Sequence, residues 1–261
     1  MLPLLLNKII QTDKLLFLHL VTQKNRIYTF LNPVSYLIAL ENKSLFEQFD
    51  GIFADGSLLV SAIRLVYGKR VTRRSFDMTS LAPELLNYLM ESRKTLYIVA
   101  SGQEQVECSV KIFQEQYPGL RIAGFRNGYF SSDAEMNKEA SHIVELNPDF
   151  LIVGMGALMQ EKFLLKVKKM GYQGIGFTCG GFVHQTAMNR MHYYPDVSFI
   201  ECIKRNIHVQ DICKLHSCFR YALSGKEFSD ERADFAYCHV NNGEWQQQDE
   251  DSSRNNFSEY F

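Results

Sequence analysis

Asp55 and the basic run behind it are the residues of this chain best suited to chemistry. Asp55 lies in Phe53-Ala54-Asp55-Gly56-Ser57-Leu58-Leu59-Val60, where the short apolar run Gly51 to Ala54 ends on an acid and a glycine. The segment that follows leads into Lys69, Arg70, Arg73 and Arg74. If 51–54 is a strand of an α/β sheet, Asp55 stands at its carboxyl end, where open parallel sheets place their ligands. A carboxylate there, with cations a helix length away, suits chemistry on a phosphorylated substrate. Taken without their neighbours, the same residues also describe an Asp-Gly turn opening a helix, with a solvated basic loop behind it.

The elements that must position these residues can be read from the apolar pattern. Ile27 to Leu31 reads as a buried strand, and Asn32-Pro33 has the order of an N-cap and a first helical residue. Val34, Leu37, Ile38, Leu45 and Phe49 then fall near helical spacing. A helix is expected over 57–67 with Leu58, Ala62 and Leu65 on one face, and another carries Met78, Leu81, Ala82, Leu85, Leu86 and Leu89. Strands are expected at Thr95 to Ala100, Leu120 to Phe125, Phe150 to Met155 and Gly174 to Cys179. Helical segments separate them, punctuated by Ser101-Gly102, Pro118-Gly119, Asn127-Gly128, Asn147-Pro148 and Gly180-Gly181. This alternation predicts an α/β fold, a Rossmann-like parallel sheet with helices on both faces, in a domain spanning residues 1–195. A helical C-terminal appendage is expected over 196–240. An acidic tail over 241–261, too poor in apolar residues to offset the entropy of ordering, is expected to be disordered.

Composition narrows the function classes. In 261 residues, 46% hydrophobic and 22% charged content is that of a globular protein, and a net charge of -1 argues against nucleic acid as the partner. The charge is unevenly placed: five Lys or Arg and no acid lie between Ile63 and Phe76. No apolar run approaches the roughly 20 residues that span a bilayer, so any membrane contact is expected to be peripheral. The six cysteines form no CxxC pair, and Cys213, His216 and Cys218 lack a second ligand pair, so neither disulfide staples nor a metal site is read. A cytoplasmic location follows. The G-x-G-x-x-G fingerprint of nicotinamide enzymes is missing.

The order of several short motifs resembles the WecG/TagA/CpsF family of glycosyltransferases, including UDP-N-acetylmannosaminyltransferases. The motifs are Phe30-Leu31-Asn32-Pro33, Ala54-Asp55-Gly56, Arg73-Arg74-Ser75-Phe76-Asp77, Asn127-Gly128-Tyr129-Phe130, Met155-Gly156-Ala157-Leu158-Met159-Gln160-Glu161, Gly180-Gly181, and Ile200-Glu201-Cys202-Ile203-Lys204-Arg205. The departures are equally specific. Phe30 stands where the teichoic acid members carry a Thr, the family's Arg-Val-Ala-Gly becomes Thr72-Arg73-Arg74-Ser75, a Pro-Lys becomes Leu158-Met159, and His184 stands where an acid follows the paired glycines. The chain is a divergent member by these marks.

The resemblance implies an inverting transfer of a hexose or N-acetylhexosamine from a UDP-sugar to a polyprenyl-pyrophosphate-linked sugar, in bacterial cell-surface polysaccharide synthesis. Asp55 is then the catalytic base. Asn32 binds acceptor or orients Asp55, although a helix cap explains it equally. Arg73, with Arg74, Lys69 and Arg70 as substitutes, meets acceptor phosphate, and Asp77 joins the substrate-binding set through its motif. Gln160 and Glu161 open a helix in the family's donor region, where Glu161 suits a sugar hydroxyl; an ordinary first-turn Glu is the plainer account. Gly181 permits close backbone approach, His184 takes the place of the donor-side acid, and Arg205, with Arg220, serves the UDP pyrophosphate from the appendage. No Asp-x-Asp occurs before the acidic tail (241–261), so neither metal nor cofactor is expected, and homo-oligomerisation is left open. The rival reading is a catalytically impaired member, a nucleotide-sugar-binding or partner protein, impaired through the changes at Phe30, Leu158, Met159 and His184.

Overall fold

Six strands form the frame: β1 (Arg26–Leu31), β2 (Gly51–Ala54), β3 (Thr95–Ala100), β4 (Arg121–Arg126), β5 (Phe150–Gly154) and β6 (Ile175–Thr178). They make one sheet in the order β2-β1-β6-β5-β3-β4, with every pairing parallel. The computed structural model describes residues 7–9, 17 and 19–188. These fall within one of the chain's two units, Met1–Arg220. The expected appendage (196–240), the expected tail (241–261), Arg205 and Arg220 lie outside the described residues.

Burial on both faces explains the composition of the strands. β2, β5 and β6 are buried at every position, as parallel strands covered by helices on each side must be. The edge strand β4 alternates exposed and half-buried residues instead. The helices are α1 (Pro33–Glu41), α2 (Lys43–Phe46), α3 (Ser57–Tyr67), α4 (Leu81–Glu91), α5 (Gln103–Gln116), α6 (Asp133–Leu146), α7 (Met159–Lys169) and α8 (Phe182–Ala187). One face of the sheet packs Tyr28, Phe30, Phe53, Ile98, Ile152 and Phe177 against α4 and α5. The other packs Val99, Leu151 and Val153 against α6 and α7, and Leu31, Ile52 and Ala54 against α1 and α3.

Three expectations change in detail. The segment from Val34 to Phe49 is two helices, because the Asn42 side-chain amide donates to the Ile38 carbonyl at 2.9 Å and ends the first. The helix expected from Met78 begins at Leu81, because Asp77 takes the Thr79 N–H at 2.7 Å and holds residues 77–80 as a turn. α3 buries Leu59 and Ile63 rather than Leu58, Ala62 and Leu65, and Leu65 is 77% exposed. Both arrangements have helical spacing; the one that meets Ile52 and Ala54 on the sheet prevails.

At the amino-terminal end of the sheet, two carboxylates tie the strands together. Asp50 accepts from the Ile27 N–H at 2.8 Å, Arg26 at 2.8 Å and Lys168 at 2.6 Å. Asp149 accepts from the Thr95 N–H at 3.0 Å and from Lys94 at 2.9 Å. The carboxyl-terminal end is left to the loops that carry the chemistry-bearing residues.

Candidate active site

Register alone brings Asn32 and Asp55 together. Phe30 pairs with Phe53 and Leu31 with Ala54, so β1 and β2 end level. The Asp55 N–H continues the ladder to the Leu31 carbonyl at 2.8 Å. Gly56 follows at φ +83°, a left-handed conformation in which a side chain would be strained, and turns the chain directly into α3. Asn32 caps α1: its Oδ1 accepts from the Ser35 N–H at 2.9 Å while Ser35 Oγ accepts from the Asn32 N–H at 2.8 Å. Both residues therefore stand at the rim, Asp55 half-buried and Asn32 exposed.

The basic loop doubles back to Asp55. Arg73 forms a parallel bridge with Ala54, and the Arg74 N–H donates to the Ala54 carbonyl at 2.9 Å. Residues 73 and 74 thus pair with the end of β2, further along the strand from Ile52, where Ile9 bridges. The two arginines differ. Arg74 is 8% exposed and makes a bidentate pair with Glu84 of α4 at 2.9 and 3.2 Å, so it fastens the segment. Arg73 keeps a 44% exposed side chain, 3.7 Å from Asp77 Oδ2. Asp77 is 6% exposed and fixes the 77–80 turn. Lys69 is exposed, with its ammonium 3.4 Å from Asn7 Oδ1.

Ser75, which the sequence did not single out as a site residue, donates its hydroxyl to Asp55 Oδ1. Burial raises the Asp55 pKa above the ordinary carboxyl value, against the Ser75 hydrogen bond and the Arg73 charge, which pull it down. The Asp77 charge adds to the upward shift.

Phe30, which stands where the teichoic acid members of the resembling family carry a Thr, fills space beside this segment. Its ring stacks on Phe53 at 4.8 Å and meets Phe76 edge-on at 5.5 Å. Phe76 also packs edge-on against Phe182 of α8 at 5.2 Å. The substitution therefore exchanges a hydroxyl for an aromatic anchor under residues 75–77.

Gln160 and Glu161 are placed inside rather than at the rim, 5% and 1% exposed. Thr29 Oγ1 donates to Glu161 Oε1 at 2.8 Å, the Leu158 N–H to Oε2 at 2.7 Å, and Gln160 Nε2 to Oε1 at 2.9 Å. Gln160 Oε1 in turn accepts the Gly180 N–H at 3.1 Å. With the Thr29 proton given to Glu161, Thr178 donates to Thr29 across 2.9 Å. Desolvation raises the Glu161 pKa, opposed by its hydrogen bonds from Gln160 and Thr29. The pair joins β1, β6, Gly180 and the positive-φ Leu158 into one buried network. A threonine inside the otherwise apolar run Ile27 to Leu31 was the sequence signal for it.

The remaining loops meet along the same edge. The Ser101 N–H donates to the Gly154 carbonyl at 3.1 Å and the Gly128 N–H to the Ser101 carbonyl at 2.8 Å. A Cβ on Gly154 would lie 2.6 Å from the Gly180 carbonyl oxygen, so only glycine lets these strand ends approach. The chain leaves β3 toward β4 on one side and leaves β5 toward β6 on the other, which makes the crevice between β5 and β3 a topological switch point. Gly181 and His184 are exposed at the start of α8, and Tyr129 projects from the Asn127-Gly128 turn, 69% exposed. Among the described residues, no group of three or more His, Cys, Asp or Glu is arranged to hold a metal ion.

Known proteins resemble the chain. It is 34% identical over 169 residues to the UDP-Gal:alpha-D-GlcNAc-diphosphoundecaprenol beta-1,4-galactosyltransferase of Shigella boydii, covering 65% of this chain and 70% of that protein. It is 24% identical over 168 residues to the N-acetylglucosaminyldiphosphoundecaprenol N-acetyl-beta-D-mannosaminyltransferase of Bacillus subtilis, covering 62% of this chain and 63% of that enzyme's length. Residues 11–191 match the model of the glycosyl transferase WecG/TagA/CpsF family, and the chain belongs to that family.

Proposed function

We propose that this protein is an inverting glycosyltransferase that moves a hexose from a UDP-sugar to an N-acetylglucosamine carried on a polyprenyl diphosphate, in the assembly of a cell-surface polysaccharide. The two relatives named above share that acceptor in their names and differ in the sugar transferred, so the acceptor class carries over more firmly than the donor. The more similar relative makes UDP-galactose the first donor to test.

The observation that carries the mechanism is Asp55 at the carboxyl end of β2, held between Asn32 and segment 73–77. In this reading, Asp55 removes the proton from the acceptor hydroxyl. The resulting oxygen attacks the anomeric carbon from the face opposite the nucleotide. The bond between that carbon and the UDP oxygen breaks, its electron pair leaves with UDP, and the configuration inverts. Arg73, exposed beside Asp55, takes the acceptor diphosphate, for which a guanidinium is well shaped. Three strand spacings, about 14 Å, separate β2 from β5. A donor lying across the strand ends then has its sugar at Asp55 and its nucleotide over the switch point. Gln160 and Glu161 serve by holding the Gly180 loop under it, and Gly181, His184 and Asn32 line the rim.

A lipid-linked acceptor requires the site to approach a bilayer, and among the described residues no helix is long and apolar enough to cross one. The surface best suited to peripheral contact is the far end of α3, where Leu65 stands exposed next to Arg64, with Lys69 and Arg70 following in the chain. Cations with an apolar residue between them fit anionic headgroups.

The deciding measurement is UDP release with UDP-galactose and a short-chain prenyl-diphosphate N-acetylglucosamine. Asp55→Asn is expected to reduce kcat by roughly 100-fold or more while the fold, followed by circular dichroism, is retained. Wild-type turnover in that variant refutes Asp55 as base. Absence of UDP release with every hexose and N-acetylhexosamine donor favours the non-catalytic reading.

A further inference from the structure

Ser75 is built into the site more tightly than a loop serine needs to be. It is 2% exposed, and its hydroxyl reaches Asp55 Oδ1. Its backbone is fixed on both sides: its N–H donates to Ser80 Oγ at 3.4 Å, and its carbonyl accepts the Leu81 N–H at 3.1 Å. The flanking residues are fastened too, Arg74 by Glu84 and Phe76 by Phe30 and Phe182. The segment leading into α4 therefore presents one hydroxyl proton to one carboxylate oxygen.

We propose that Ser75 is a positioning residue for sugar transfer, its hydroxyl holding one oxygen of Asp55 and favouring the charged, proton-accepting form of that carboxylate. The hydrogen bond fixes the carboxylate's rotation, so the lone pairs not facing Ser75 are directed to the acceptor hydroxyl. It also opposes the burial that raises the Asp55 pKa. The charged groups acting on Asp55 from this segment are Arg73, which helps Ser75, and Asp77, which opposes it. Arg74 is paired with Glu84 of α4, while α1 contributes the neutral cap Asn32 and α3 begins with Gly56 and Ser57. Burial remains the largest influence on Asp55, and among the groups that favour its charged form the Ser75 hydroxyl comes first, ahead of Arg73 and the Gly56 N–H.

This inference rests on Asp55 being the base, and the test separates the two. The pH dependence of kcat/KM is measured for the full chain and for Ser75→Ala, Ser75→Cys and Ser75→Thr, with folding checked by thermal unfolding. A base must be unprotonated, so activity falls on the acid side as Asp55 takes up a proton. Loss of the hydroxyl is expected to move that acid limb upward by about one pH unit and to lower kcat about tenfold. Thr is expected to keep the wild-type limb, and the nearly isosteric Cys, a weak donor, to follow Ala even if Ala fails to fold. A folded Ala or Cys variant with an unmoved acid limb overturns the role of Ser75. If Asp55→Asn remains active, the reading of Asp55 fails first; if Asp55→Asn is inactive and the limb is unmoved, only the Ser75 inference fails.

Discussion

Two adjacent arginines in one motif have opposite duties. Arg74 spends its guanidinium on Glu84, whose side chain is 22% exposed, whereas Arg73 leaves 44% of its own side chain open beside Asp55. Removing Arg74 strands a partly buried carboxylate, so Arg74→Ala is expected to cost about 2 kcal/mol, measured by urea denaturation. Arg73→Ala is expected to leave stability within about 0.5 kcal/mol and to raise the KM for the lipid-linked acceptor roughly tenfold. The reverse pattern, a destabilised Arg73 variant with normal KM, would show that Arg73 is the structural member of the pair. Sequence could name both residues as phosphate candidates, because a run of cations looks alike along its length. It could not tell which would meet Glu84, since that pairing depends on where α4 begins.

At the scale of elements, the Gln160–Glu161 corner of α7 secures the strand ends. Glu161 accepts from three donors, from Thr29, Leu158 and Gln160, and Gln160 passes the restraint on to Gly180. Glu161→Ala removes the acceptor shared by these three donors, stranding the buried Gln160 amide, and is expected to cost about 2–4 kcal/mol. The deficit carries a pH signature. Because desolvation sets the folded pKa of Glu161 above its unfolded value, protonation stabilises the fold. That contribution is fully present below the unfolded value, about 4.3, and is lost as pH rises through the raised folded value. The cost of Glu161→Ala is therefore expected to be larger at pH 5 than at pH 8, by chemical denaturation at both. A deficit that grows with pH would mean that the hydrogen bonds outweigh burial.

For the whole molecule, the issue is how a site at one end of a sheet reaches a lipid-linked sugar. α3 runs from Ser57 to Leu65 over about 12 Å at 1.5 Å per residue; in the proposed peripheral contact its exposed end rests on headgroups while the site stays within reach of the sugar. Leu65→Glu combined with Arg64→Glu is expected to reduce binding to vesicles containing anionic lipid by tenfold or more. Activity on a short-chain, water-soluble acceptor should be unchanged. Unaltered vesicle binding would move the contact to another surface.

The sequence by itself determined the alternation of strand and helix, the boundaries of β2 and α3, and the placement of Asp55 at a strand end. These are local properties, carried by apolar period, glycine and proline. It also carried the ordered motifs by which the family could be named. Tertiary structure decided the rest. Strand order set Asn32 beside Asp55, and the sheet chose which face of α3 to bury. Glu161 was drawn inward by Thr29, 132 residues away in sequence. Ser75 was brought to Asp55 across a separation of 20 residues by a loop folding back on the edge strand. Such pairings depend on distant segments meeting, and no local pattern of residue types encodes them.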